Sequence, residues 1–365
     1  VSLDCSGATY LDDLAPLRSL VALETLTLCD CTSLNDIGPL GASKQLTALD
    51  CTCCTGIIHV EALASCRWLR TLNLSYCRSL VDVGPLARCE ELATLVLEGC
   101  AHLTDVEELA RCAKLHTLDL SSCTKLVRAG ALARCRGLQR LTLASCAEVR
   151  DVESLGGCAR LRDLDLTSCR RTGDVISRLA VSNSCLRALC LAFCTGITDV
   201  AAIATCSQLE SLSLSCCVAI RDFGPIAACT SLRLLDLHNC SGLLMAEPLG
   251  ACKRLRKLNL SLCTGLADVA PLARLGWLHT LDLTGCTGLA DVSALASCER
   301  LRVLDLSFCT GIVAVAPLAA SPSLESLDLS HCKALAHAAL PDVAPLALCP
   351  TLRYLDLRNS VPASV

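Results

Sequence analysis

Leucine recurs along this chain in a fixed phase. Leu69, Leu72 and Leu74 precede Cys77, and Leu301, Leu304 and Leu306 precede Cys309 at the same spacing. The phrase restarts about every 23 residues from Leu23 to Leu161 and again from Leu186 to Leu324, and Leu352 opens a partial last turn. Within each phrase the segment x-Leu-x-Leu-x alternates apolar and polar, the pattern of a strand with one buried face. A Thr-Gly turn often follows, as at Thr195-Gly196 and Thr287-Gly288, and then an apolar residue such as Ile197 or Leu289 points back inside. Next comes Asp, as at Asp36, Asp82, Asp222 and Asp268, placed to accept a backbone N–H at the start of a short helical turn. Pro39, Pro85, Pro225 and Pro271 sit three residues later, where a short 3-10 or α turn accommodates proline.

A period of this length predicts a solenoid in which each unit buries its apolar face only against its neighbours. The expected fold is an α/β solenoid of about 16 repeats, each pairing a strand with a short helical or 3-10 turn. Such an array grows in one dimension, so residues 1–365 are read as one domain despite exceeding the ~250–300 residues at which single cores stop growing. Two units break the meter, one near 182–184 and one near 336–342. These insertions are expected as edge loops, either tolerated surface bulges or partner-specific projections. The array opens on Leu3 and Cys5 and closes just beyond Ser360, which replaces a repeat cysteine. Neither end carries a polar cap, so flanking sequence or another chain is expected to cover the ends.

Cysteine changes the picture most. Its 31 copies would suggest a disulfide scaffold by number alone. Their placement argues otherwise. One column runs from Cys31 through Cys54 and Cys77 to Cys332, and a second from Cys66 through Cys89 to Cys349. Both share the phase of the core leucines. Stacked side chains about 4.8 Å apart do not converge as a disulfide requires. Buried, reduced thiols are expected, with S–H as a weak donor, and with them an intracellular, reducing, cytoplasmic setting. Cys51, Cys53 and Cys54 with His59 suggest a zinc site, but Cys51 and Cys54 fall on inward positions and Cys53 on an outward one, so no metal is expected.

The string of Leu189, Leu191, Cys194, Ile197, Thr198, Asp199, Cys206 and Leu209 resembles the leucine-rich repeat, closest to its cysteine-containing subclass. The Asp-Val-x-Pro-Leu leg also resembles internalin-type repeats of bacterial surface proteins, and the composition is similar to that of leucine-rich repeat proteins of parasitic protozoa. The resemblance covers essentially the whole chain and implies a curved horseshoe that recognises other proteins, with a parallel β-sheet on the concave face and the short helical or 3-10 turns on the convex face. Many cysteine-type members act beside an F-box in ubiquitin ligases, but no F-box segment occurs here.

With the inward columns constrained, function is expected between the leucines. Asp236, Asp282, Asp305, Asp328 and Asp356 share one outward column with Asn73 and Asn259. They form either a repeat-consensus feature neutralised by neighbours or an acidic strip for a Lys/Arg-rich partner. The column of Arg162, Arg187, Arg233, Arg256, Arg302 and Arg353 offers the counter-charge. Tyr76, Phe193, Leu262 and Phe308 precede the repeat cysteine at the edge of the same face, as hot spots or as isolated surface apolar residues. Trp68 and Trp277 are expected to pack on the neighbouring turn.

A net charge of −4 and an Asp-lined face give no reason to expect nucleic acid. No apolar run is long enough for a membrane span. His238 lies two residues from Asp236, which could orient its imidazole, but no nucleophile motif or phosphate loop accompanies them, so no enzyme and no cofactor are expected. The expected function is a protein-binding scaffold acting through its concave face. The alternatives are a structural subunit of a permanent assembly and a substrate-recognition adaptor of a ubiquitin ligase.

Overall fold

The computed structural model describes residues 1–171, 185–335 and 343–360, which form two compact units, Val1–Leu186 and Arg187–Val365. The insertions near 182–184 and 336–342 lie outside the described residues.

In the first unit eight strands run parallel in sequence order, from β1 (Ser2–Asp4) through β4 (Thr71–Asn73) and β5 (Thr94–Val96) to β8 (Asp163–Asp165). The second unit repeats the arrangement from β9 (Ala188–Cys190) through β11 (Leu234–Asp236), β12 (Lys257–Asn259), β13 (Thr280–Asp282), β14 (Val303–Asp305) and β15 (Ser326–Asp328) to β16 (Tyr354–Asp356). Each strand is three residues long with a leucine at its centre, and those leucines pair in register, Leu72 with Leu95 and Leu281 with Leu304. The outer legs are five- or six-residue 3-10 turns such as Gly84–Arg88 and Ala270–Arg274, with proline at the second position. The parallel strands and 3-10 legs make the fold a leucine-rich-repeat solenoid.

Local chemistry fixes the turns. Asp36, Asp82 and Asp268 each accept the first N–H of the 3-10 turn at 2.6–2.7 Å, from Gly38, Gly84 and Ala270. Where Arg128 replaces the aspartate, Asp151 of the next repeat reaches back and accepts from Ala129 and Gly130 at 2.7 and 2.9 Å. A second device ends the strand. The residue before the repeat cysteine adopts left-handed backbone throughout, with φ of 59° at Tyr76 and Phe193 and 71° at Gly99.

All 31 cysteines are free thiols, and both columns are buried. Column thiols from Cys31 to Cys169 and from Cys217 to Cys349 donate to a backbone carbonyl of the preceding turn. Cys286 reaches Leu260 O at 3.1 Å and Cys309 reaches Leu283 O at 3.0 Å; in the second column Cys89 reaches Leu63 O at 3.2 Å. The sulfur thus fills apolar volume and adds a second donor to a carbonyl that already accepts its own turn's N–H, as Leu260 O does from Cys263 at 3.1 Å. Burial pushes the thiols of Cys100 and Cys286 up to about 12, so they stay protonated and chemically quiet. Ser360, at the last repeat-cysteine position, does the same job by donating to Leu329 O and accepting from Cys332 N.

Candidate functional site

The alternation that buries the leucines turns two strand positions outward per repeat, followed by two more as the chain leaves the strand. In the second outward position, Asp282, Asp305, Asp328 and Asp356 occupy neighbouring strands in direct register. Like charges at about one 4.8 Å strand spacing repel.

One oxygen of each carboxylate belongs to the fold. Oδ1 of Asp282 accepts the N–H of Thr284 at 2.9 Å, Asp305 that of Ser307 at 2.9 Å, and Asp328 that of Ser330 at 2.8 Å. Asp236 accepts from His238 N at 3.0 Å. These bonds hold the chain as it leaves the strand. Asn73 and Asn259 form the same turn, accepting from Ser75 and Ser261 at 3.0 Å. The fold therefore asks for an acceptor there and not for a charge.

The arginine column does not supply the expected counter-charge. Arg187 and Arg233 pair with Glu210 at 3.6 and 3.5 Å, and Arg302 with Glu325 at 3.7 Å. These arginines sit at the strand entry, where glutamates in the same column of an adjacent repeat are nearer than aspartates three residues along the strand. Among the described residues only Asp356 of the acidic run has a cation beside it, Arg358 Nη2 at 2.6 Å. That guanidinium holds the Asp356 carboxyl down at about 2. Asp282, Asp305 and Asp328 have no ion-pair partner among the described residues.

The apolar candidates divide. Tyr76 in the first unit is half-buried: its hydroxyl donates to Glu98, and its ring covers Gly99, where a Cβ would meet ring carbon at 2.5 Å. In the second unit Phe193, Leu262 and Phe308 are 51%, 41% and 50% exposed. Phe308 stacks on His331 with ring centroids 4.3 Å apart, and Leu262 overlies Gly285. All three hold φ near 60°, a conformation costing a bulky residue about 1–2 kcal/mol and free for the glycines in the same column.

Sequence reading missed the first outward position. Leu234, Val303 and Tyr354 are exposed there, where the first unit places Thr71, Thr94 and Thr117. Reading that column down the repeats would have found them. It also misplaced the His238 ring, which meets Ser261 Oγ at 2.8 Å while Asp236 takes only the backbone N–H. The Ser261 hydroxyl is itself committed to Asn259 Oδ1 at 2.6 Å, so this pair lacks the geometry of an activated nucleophile. Among the described residues no cluster of His, Cys, Asp or Glu could hold a metal, and no helix is long and apolar enough to cross a membrane. Cys51 and Cys54 face the core and Cys53 is partly exposed, which explains why that cluster does not converge.

The architecture is that of a repeat solenoid built on parallel strands. The family model described as Leucine Rich repeat matches residues 65–84 and 320–335. Among solved structures, a Leptospira interrogans leucine-rich repeat protein is similar at a TM-score of 0.70 and 16% identity, covering 96% of this chain and 94% of that one. An internalin from Listeria monocytogenes gives 0.60 at 19% identity, covering 94% of this chain and 83% of its own. The functional domain of InlJ from Listeria monocytogenes, which includes a cysteine ladder, gives 0.61 at 17% identity, with 94% and 71% covered. The chain has the fold of these leucine-rich repeat proteins. A search of curated proteins finds no match to the sequence.

Proposed function

We propose that the chain is a recognition scaffold that binds another protein through the outward sheet face of its second unit. The observation that carries this reading is a run of carboxylates, Asp282, Asp305 and Asp328, whose structural task asparagine performs equally well at Asn73 and Asn259. Charge kept at a position that does not need it, at a cost in repulsion, points to a use outside the fold. The exposed Phe193, Leu262 and Phe308, held in costly backbone, supply apolar anchors beside it. The complementary partner is a protein presenting a Lys/Arg-rich segment with apolar side chains at its margin. A phosphate backbone is repelled by the same carboxylates. The buried thiols suit a reducing, intracellular setting.

The test is affinity capture from the native cell with the parent chain and with Asp282→Asn, Asp305→Asn and Asp328→Asn combined, a change that keeps the turn acceptors. A partner held by the parent, released as salt shortens the Debye length below about 10 Å, and not held by the variant supports the reading. Equal capture by both chains in both salts refutes it.

A further inference from the structure

A second feature of the same unit lies at the strand-entry edge, away from the aspartates. Arg233, Arg254, Arg256 and Trp277 line a cavity of about 360 Å³. Arg233 and Arg256 occupy equivalent places on adjacent repeats, joined by Arg256 N–H to Arg233 O at 2.8 Å. Their guanidiniums therefore leave the backbone about one strand spacing apart. Arg254 precedes Trp277 by one repeat in the neighbouring column, and Arg300 follows it by one more, with its guanidinium 3.7 Å from the ring centroid. The ring is 45% exposed.

Three cations on one cavity are unfavourable without an anion. Glu210 partly answers Arg233, at 3.5 Å, but is shared with Arg187. Arg254 and Arg256 have no ion-pair partner among the described residues. The first unit shows that this is not a property of the repeat. Its tryptophan in the same column, Trp68, lines a cavity of about 850 Å³ whose wall mixes Lys44, Arg67 and Arg88 with the carboxylates of Glu61 and Glu90.

We propose that the Arg233, Arg254, Arg256 and Trp277 cavity binds a phosphate monoester carried on a planar ring. Two unanswered guanidiniums call for a dianion, which a single carboxylate is not. Guanidinium presents its donors in a planar fork that matches phosphoryl oxygens two at a time. The volume falls at the lower end of the ~300–1,000 Å³ range of ligand pockets, with room for a phosphoryl group and one ring. The exposed part of Trp277, stiffened by Arg300, gives that ring a surface to lie against. The ligand's source is either a phosphotyrosine side chain or a nucleoside monophosphate, which share this chemistry.

The test is isothermal titration of the whole chain with phenyl phosphate at constant ionic strength. Binding should weaken at least about tenfold in Arg254→Gln with Arg256→Gln, the loss expected for one charge-assisted contact. Trp277→Ala should weaken phenyl phosphate while leaving inorganic phosphate unchanged, a split that misfolding would not produce. Phosphotyrosine amide and adenosine monophosphate, run as separate arms, identify the source by which binds tighter. No binding of phenyl phosphate at millimolar concentration, or binding within twofold of the parent in the arginine variant, overturns the proposal. The aspartate variant of the preceding test leaves this cavity intact, so the two ideas fail independently.

Discussion

The first unit places Thr71, Thr94 and Thr117 in its first outward position, where the second places Leu234, Val303 and Tyr354. In the next position the first unit interrupts its acids, with Asn73 beside Asp50 and Val96 beside Asp119, while the second runs Asp282, Asp305, Asp328 and Asp356 without a break. Its bulky left-handed residue, Tyr76, is tied to Glu98, whereas Phe193 and Phe308 stand half-exposed. Inward, the units match: leucine at each strand centre and buried cysteine in both columns. Two stretches with one interior and different exteriors show that the repeat fixes the fold while leaving the outward positions free to specialise.

If that division holds, inward substitutions should cost the same in either unit. Leu72→Ala and Leu304→Ala, both at strand centres buried to within 1%, should each lose about 2–5 kcal/mol in chemical denaturation. A markedly smaller loss in one unit would break the equivalence.

The next largest effect belongs to the sulfur. Cys286→Ala removes the S–H bond to Leu260 O, which keeps the Cys263 N–H at 3.1 Å, and should cost about 0.5–1.5 kcal/mol. Cys286→Ser should recover part of the loss, because Ser360 already donates to Leu329 O from the equivalent place. If alanine and serine melt alike, the S–H donor contributes nothing and the cysteines are only filler.

How much of this was legible follows the same boundary. The solenoid, the strand faces, the aspartate at most 3-10 turns and the burial of both cysteine columns follow from periodicity, since every inward position repeats with the same neighbours. Outward partners do not, because they depend on which long side chain of an adjacent repeat reaches furthest. Hence Arg187, Arg233 and Arg302 met glutamates and not the aspartates, and His238 met Ser261. The aspartates were visible as a column, but their second role as turn acceptors shows only in the distances.

Asp356 sharpens the comparison by the smallest effect. Its carboxyl lies at about 2 when folded, below the ordinary 3.8, because Arg358 binds it. A depressed value means its stabilisation is fully present above pH 3.8 and disappears as pH falls through 2. Asp356→Asn should lose that part of the acid dependence in melts between pH 4 and 2, and an unchanged acid limb would show the Arg358 contact to be idle.

The central claim is that the charges on Asp282, Asp305 and Asp328 exceed what the fold requires. Thermal melting of the triple asparagine variant in low and high salt tests it directly. The account predicts a melting temperature at or above the parent's in low salt, with the difference vanishing as salt screens the repulsion. A variant that melts several degrees below the parent in both salts would show the carboxylates to be structural and remove the ground for a recognition surface there.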